Sequence, residues 1–214
     1  MGGRWRAWLF DLDKTLVNVE DGVDYCAALR AVRAEFPDVR GQRGLPPVDF
    51  GRCAVQVLAV LAALHGEPEA FRRASEVVEH FELQGVARSV PMPGLEAVWT
   101  ARGERLTGVV TLLGPRAAWA VLRHHGLEPD CVVGREVGLR MKPAPDPVVR
   151  ALQRLGVGRE EAVLVGDSKW DEQAAQAAGV AFLGLTWGRR DPGFGATTPV
   201  VRDLVEAAHL LVRF

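Results

Sequence analysis

The chain has 214 residues, 48% hydrophobic and 25% charged, with Lys+Arg 26 against Asp+Glu 27 for a formal net charge of -1. That balance is ordinary for a globular domain and excludes a disordered chain, a collagen-like repeat and a disulfide scaffold. A charge so close to zero gives no electrostatic reason to expect nucleic acid or an anionic membrane as partner.

In chain order, Trp5–Phe10 reads as a first strand, apolar throughout as a strand buried on both faces should be. Residues 19–88 then carry three helical patterns and no strand. The first is Gly22–Phe36, with Tyr25, Cys26, Leu29, Val32 and Phe36 on one face. The second is Gly51–Leu64, and the third Pro68–Gln84, with Phe71, Ala74, Val78 and Phe81 aligned. A turn-rich connector, Pro37–Pro47, joins the first two. This insert holds 8 Arg and 11 Asp/Glu, so no basic saddle for nucleic acid is hidden in it.

Beyond it, strands read at Leu106–Val110, Cys131–Val133, Ala162–Val165 and Val180–Leu185. Helices alternate with them at Gly94–Arg102, Pro115–His125, Pro147–Leu155 and Trp170–Ala178. Asp146 is the expected N-cap of the helix opened by Pro147, with Gly156 past its end, and Gly179 ends the next. A last helix is expected over Val201–Val212, with Val201, Leu204, Val205, Ala208 and Val212 as its apolar stripe. Strands alternating with helices argue for an α/β fold: a Rossmann-like parallel sheet with an inserted all-helical cap. The core would be residues 1–18 and 89–214, and the cap residues 19–88.

Cys26, Cys53 and Cys131 are odd in number and show no CxxC, so they read as unbridged side chains in a reducing compartment. The apolar stretch Ala7–Phe10 is too short for a signal-peptide core. The run Cys53–Leu64 falls below the ~18 residues of a membrane span. A soluble, cytoplasmic protein is the expectation.

The first strand runs into Asp11-Leu12-Asp13-Lys14-Thr15. Two acids beside a buried strand end repel each other at a low-dielectric edge, so a cation should share the site. In isolation Asp13 could equally cap a turn. Other strand ends carry polar groups too: Thr111 after the second, Lys142 in Met141–Pro147 after the third, and Gly166-Asp167-Ser168-Lys169-Trp170-Asp171 after the fourth. In a doubly wound sheet these loops share the carboxyl edge, where ligands bind. Asp171 lies one helical turn beyond Asp167, either in support of a metal or as an N-terminal acid favoured by the macrodipole. Ser168 reads as the N-cap of that helix. The chain has three lysines, Lys14, Lys142 and Lys169, all inside these segments. Arg189 and Arg190 read as solvated, His124 and His125 as helix-end residues. Trp170 and Trp187 are the tryptophans placed to line the crevice.

Together these segments resemble the haloacid dehalogenase superfamily, in its phosphoglycolate-phosphatase-like branch with a helical C1 cap. The matching runs are DLDKT at 11–15, Thr111, Lys142 within KPAPDP, and GDSKWD at 166–171. The resemblance implies an Mg²⁺-dependent phosphatase that hydrolyses a small phosphomonoester through an aspartyl-phosphate on Asp11. Asp13 would be the general acid/base and Lys142 a fixed positive charge. Thr15 and Thr111 would bind substrate. Asp11, Asp167 and the backbone carbonyl of Asp13 would hold Mg²⁺, with Asp171 in support. A small phosphorylated metabolite is the implied partner, and the implied assembly is a monomer or homodimer. A 2-haloacid dehalogenase, a sugar phosphomutase and a non-catalytic binding protein remain as alternatives; Asp13 speaks against the first, and intact motifs against the last.

Overall fold

The computed structural model describes residues 5–39 and 52–213. In chain order it runs β1 (Ala7–Phe10), β2 (Val17–Asn18), α1 (Tyr25–Glu35), α2 (Cys53–Ala63), α3 (Pro68–Gly85), β3 (Val90–Pro91), α4 (Leu95–Ala101), β4 (Leu106–Val110), α5 (Pro115–His124) and β5 (Cys131–Val133). There follow α6 (Asp146–Leu155), β6 (Ala162–Gly166), α7 (Lys169–Ala178), β7 (Ala181–Leu185), β8 (Val200–Val201) and α8 (Leu204–Leu211). Six strands form one sheet in the order β5-β4-β1-β6-β7-β8, and all its pairings are parallel.

The sheet is buried on both faces, and successive side chains of β1 serve opposite ones. Trp8 and Phe10 join a cluster with Val98 of α4, Val121 of α5 and Leu204 of α8. Ala7 and Leu9 join another with Ala151 of α6 and Ala174 of α7. Helices α1–α3 stand between β2 and β3 and share a separate cluster around Leu29, Val60, Phe71 and Val78. At the root of this insert β2 and β3 pair antiparallel.

The five predicted core strands are present within a residue or two. The pair β2–β3 and the edge strand β8, two residues each, have too few side chains to carry a period. Val201 therefore belongs to β8, and α8 starts only at Leu204, capped by Asp203. The expected stripe is also displaced: Val205 and Val212 are exposed, and Leu204, Ala207, Ala208 and Leu211 face inward. Asp146 does not cap α6; its carboxylate binds Arg140, and α6 has no side-chain cap. Gly156 and Gly179 do end α6 and α7 in left-handed conformation.

Cys26 and Cys53 form a disulfide between the first turns of α1 and α2, with only Cys131 free and buried. This corrects the reading of three unbridged thiols and removes the cysteine argument for a reducing compartment. A separation of 27 residues has no local spacing signature, and only the packing of α1 on α2 brings the pair together. The connector read at Pro37–Pro47 lies outside the described residues from position 40 on. Among the described residues no helix is long and apolar enough to cross a membrane.

Candidate active site

From β1 the chain builds outward on one side of the sheet through β4 to β5, then returns to place β6 against β1. That reversal opens a crevice at the carboxyl ends of β1 and β6. Phe10 pairs with Val165, so the residues just past the two strands, Asp11 and Asp167, emerge side by side. Lys142 enters from the segment before α6, with 2% of its side chain exposed. Its ammonium donates to Asp11 Oδ1 at 2.6 Å, Asp171 Oδ1 at 2.6 Å and the Val110 carbonyl at 2.8 Å. All three of its protons are thereby committed.

Asp171 serves two ends. Besides Lys142, it accepts from the Ser168 amide at 3.2 Å and hydroxyl at 2.5 Å. Ser168 Oγ in turn accepts from the Asp171 amide, completing a capping box at the start of α7. The cap reading of Ser168 and the helix-acid reading of Asp171 both hold, and the Lys142 contact is additional.

One carboxylate oxygen from each of Asp11, Asp167 and Asp171 lies within 4.8 Å of the others. Burial pushes the Asp167 carboxyl up to about 8, and the Asp11 and Asp171 charges add to it. Burial likewise pushes Asp11 up to about 7, against the pull of Lys142 and with the repulsion of Asp171. Burial also works against the Lys142 charge, but Asp11 and Asp171 outweigh it and hold the ammonium above its usual range. Lys142 meets two of the three acids and Arg189 lies 3.5 Å from the third, so three carboxylates face two cations. Hard oxygen donors with surplus negative charge fit a divalent cation such as Mg²⁺.

Asp13 stands outside that trio. Its Oδ1 accepts from the Val19 amide at 2.8 Å and the Glu20 amide at 3.0 Å. Burial raises its carboxyl to about 6, and those amide bonds oppose the rise. Thr111 is buried at the crevice, its Oγ1 accepting from Leu113 N at 3.2 Å. Thr15 is fully buried, outside the cavity lining, and its hydroxyl has no partner among the described residues.

The loop after Asp13 has a clamp that the sequence does not reveal. Lys14 and Trp187 both adopt positive φ, 60° and 51°, a conformation that costs about 1–3 kcal/mol for a residue with a side chain. The Trp187 indole donates to the Lys14 carbonyl at 2.9 Å and ties the two together. Trp187 is not among the cavity-lining residues, whereas Trp170 is. The Lys14 ammonium meets Glu20 at 2.8 Å and Asp21 at 3.6 Å. Arg189 is not merely solvated: it lines the cavity, donates to the Asp167 carbonyl at 2.7 Å and lies 3.5 Å from its carboxylate.

A second group unseen in the sequence joins the insert to the core. Arg135, just beyond β5, and Glu82 of α3 form an ion pair with each side chain 1% exposed. The guanidinium donates to both Glu82 oxygens, the Leu112 carbonyl, Ser75 Oγ and the Ser75 carbonyl. Glu82 also accepts from Gly114 N at 2.9 Å, and Glu79 from Arg116 N at 2.7 Å and Ala117 N at 3.3 Å. Helix α5 has no side-chain N-cap of its own; two carboxylates of α3 satisfy its first amides instead. A Cβ at Gly114 would collide with the Glu79 carboxylate, which would have to shift from the α5 amides it accepts from.

Crevice and insert enclose a cavity of about 440 Å³. Its lining includes Asp11, Asp13, Thr111, Lys142 and Asp167 from the core and Tyr25, Ala54, Val55 and Leu58 from the insert. A model of the haloacid dehalogenase-like hydrolase family matches residues 5–179. The chain belongs to that family. This hydrolase is 30% identical over 217 residues to a probable phosphatase IndB of Dickeya dadantii, covering 96% of this chain and 94% of the relative. It is 31% identical over 217 residues to a phosphoglycolate phosphatase of Xylella fastidiosa, covering 97% and 92%. A solved putative phosphoglycolate phosphatase of Lactobacillus plantarum superposes with TM-score 0.69 at 21% identity, over 96% of this chain and 99% of that one. At that identity the superposition speaks for the shared fold.

Proposed function

We propose that this hydrolase is a divalent-cation-dependent phosphatase acting on a small phosphomonoester, with residues 19–88 as a cap over the leaving group. One observation carries the reading: an ammonium with every proton committed, set among three acids that converge beside it. An Asp11 carboxylate oxygen attacks phosphorus while the bond to the leaving oxygen breaks. Asp13, whose buried carboxyl is raised to about 6, gives that oxygen its proton. In the second step the Asp13 carboxylate takes a proton from water as the water attacks the aspartyl-phosphate. Inorganic phosphate leaves, and Asp11 is restored. Lys142 supplies a fixed positive charge beside the nucleophile. The Thr111 hydroxyl accepts from Leu113 N, and its own proton is available to a phosphoryl oxygen. Mg²⁺ would be held by Asp11, Asp167 and the Asp13 carbonyl, with Asp171 supporting through Lys142 and Ser168. When bound, it supplies screening between the carboxylate and the anionic phosphoryl group.

Phosphate release from a metabolite panel should require a divalent cation, stop on chelation and return on adding Mg²⁺ back. Turnover undiminished by chelator would overturn the metal assignment. The Lys142→Arg variant should lose at least about tenfold in kcat, because a planar fork cannot meet three acceptors arranged around one nitrogen. Near-normal kcat in that variant would show that positive charge alone suffices.

A further inference from the structure

Among the described residues two that carry a side chain adopt positive φ, Lys14 at 60° and Trp187 at 51°, and one hydrogen bond joins them. Left-handed backbone is uncommon for a residue with a Cβ and persists where its surroundings hold it. Lys14 follows Asp13 in the middle of a tight turn. The amides of Thr15, Leu16 and Val17 all donate to the Leu12 carbonyl, at 3.3, 3.0 and 3.0 Å, and the Lys14 amide donates to the Val17 carbonyl at 2.8 Å. The two amides that hold the Asp13 carboxylate, those of Val19 and Glu20, lie past this turn. The chain angle at Lys14 therefore fixes how Asp13 and its two donors stand relative to one another. Trp187 reaches that joint from 173 residues away, its indole donating to the Lys14 carbonyl at 2.9 Å. It is itself anchored: its backbone amide donates to the Arg202 carbonyl at 2.8 Å, and its side chain packs against the cluster of Trp8 and Phe10. Trp187 lies outside the cavity lining, so its route to the chemistry runs through the Lys14 carbonyl.

Resting on the phosphatase reading, we infer that Trp187 is a positioning residue for the general acid: its indole N–H holds the turn at Lys14 and so sets the Asp13 carboxyl against the leaving oxygen. The left-handed Lys14 is the joint through which the loop after β7 acts on the loop after β1.

The leaving-group dependence of kcat/KM tests this, because that ratio covers the steps through departure of the alcohol. Benzyl phosphate releases an alkoxide that needs a proton, whereas para-nitrophenyl phosphate releases a stabilised phenolate that does not. With Mg²⁺ present, Trp187→Phe should lose at least about tenfold on benzyl phosphate and less than about twofold on para-nitrophenyl phosphate. Replacing the Trp187 indole by benzothiophene, which keeps the bicyclic shape and removes the N–H, should give the same split, and this protein decides the matter should the Phe variant fail to fold. Asp13→Asn is the benchmark, with a loss of at least about a hundredfold on benzyl phosphate and a smaller one on the nitrophenyl ester. A structural defect would lower both esters alike. Equal losses on the two esters in the Trp187 variants, or full activity of the benzothiophene protein on benzyl phosphate, would overturn the inference while a split in Asp13→Asn left the acid in place. Equal losses in Asp13→Asn would instead remove Asp13 as the acid, and with it the reading on which the inference rests.

Discussion

Asp11→Asn should lower phosphate release by at least about a thousandfold, roughly 4 kcal/mol of transition-state stabilisation, without unfolding the protein. The amide keeps the shape of the carboxylate and an oxygen to accept from Lys142, but it cannot attack phosphorus. Stability should move the other way. The folded-state Asp11 carboxyl is raised from 3.8 to about 7, chiefly by burial. A carboxyl whose folded value is raised contributes stability that is fully present below its unfolded pKa and lost as pH rises through the folded one. At pH 8 without metal the natural protein therefore carries an ionised, buried Asp11 against the Asp171 charge, which the amide relieves. The variant should melt at an equal or higher temperature than the natural protein at pH 8 without metal, with the difference shrinking toward pH 5. Retention of more than about a tenth of kcat would remove Asp11 from the nucleophile's role. A collapse in melting temperature would instead make it a structural residue.

How much of this was legible in the sequence depends on whether a residue's partner is set by local pattern or by tertiary packing. The sheet was readable because β1, β4 and β6 are short apolar runs between helical periods. The acids were readable because a doubly wound sheet brings all its strand ends to one edge. That rule places Asp11 and Asp167 together with no knowledge of the residues between them. It does not tell that Asp171, beyond capping its own helix, would reach Lys142, 29 residues away. It is equally silent on Arg189 turning back to Asp167, on Trp187 gripping the Lys14 carbonyl and on Cys26 meeting Cys53. Each of these depends on the path of a loop or on the packing of α1 against α2. The apolar period of α3 does not single out Glu79 and Glu82, which are buried all the same. Their burial follows from the approach of α3 to an α5 terminus that lacks a cap of its own.

That junction carries the largest expected effect on stability. Arg135→Met would leave the Glu82 carboxylate buried with no countercharge, a change that costs about 3–5 kcal/mol for an ion pair removed from water. Replacing both partners, as Arg135→Met with Glu82→Leu, commonly restores stability at buried pairs, but here the recovery should be partial. Glu82 also satisfies Gly114 N, and Arg135 also satisfies the carbonyls of Leu112 and Ser75. Each buried backbone group left unmatched costs about 1–3 kcal/mol, so the double variant should remain below the natural protein in denaturant midpoint. Arg135→Lys should fare little better than Met, since a single ammonium cannot reproduce five donors spread over three residues. Leu112 and Gly114 flank the loop that follows Thr111, so the same variants should lower kcat/KM even at temperatures where they stay folded. A single substitution costing under about 1 kcal/mol, the value of a surface pair, would mean that α3 is held to the core by its apolar contacts and that the ion pair contributes little.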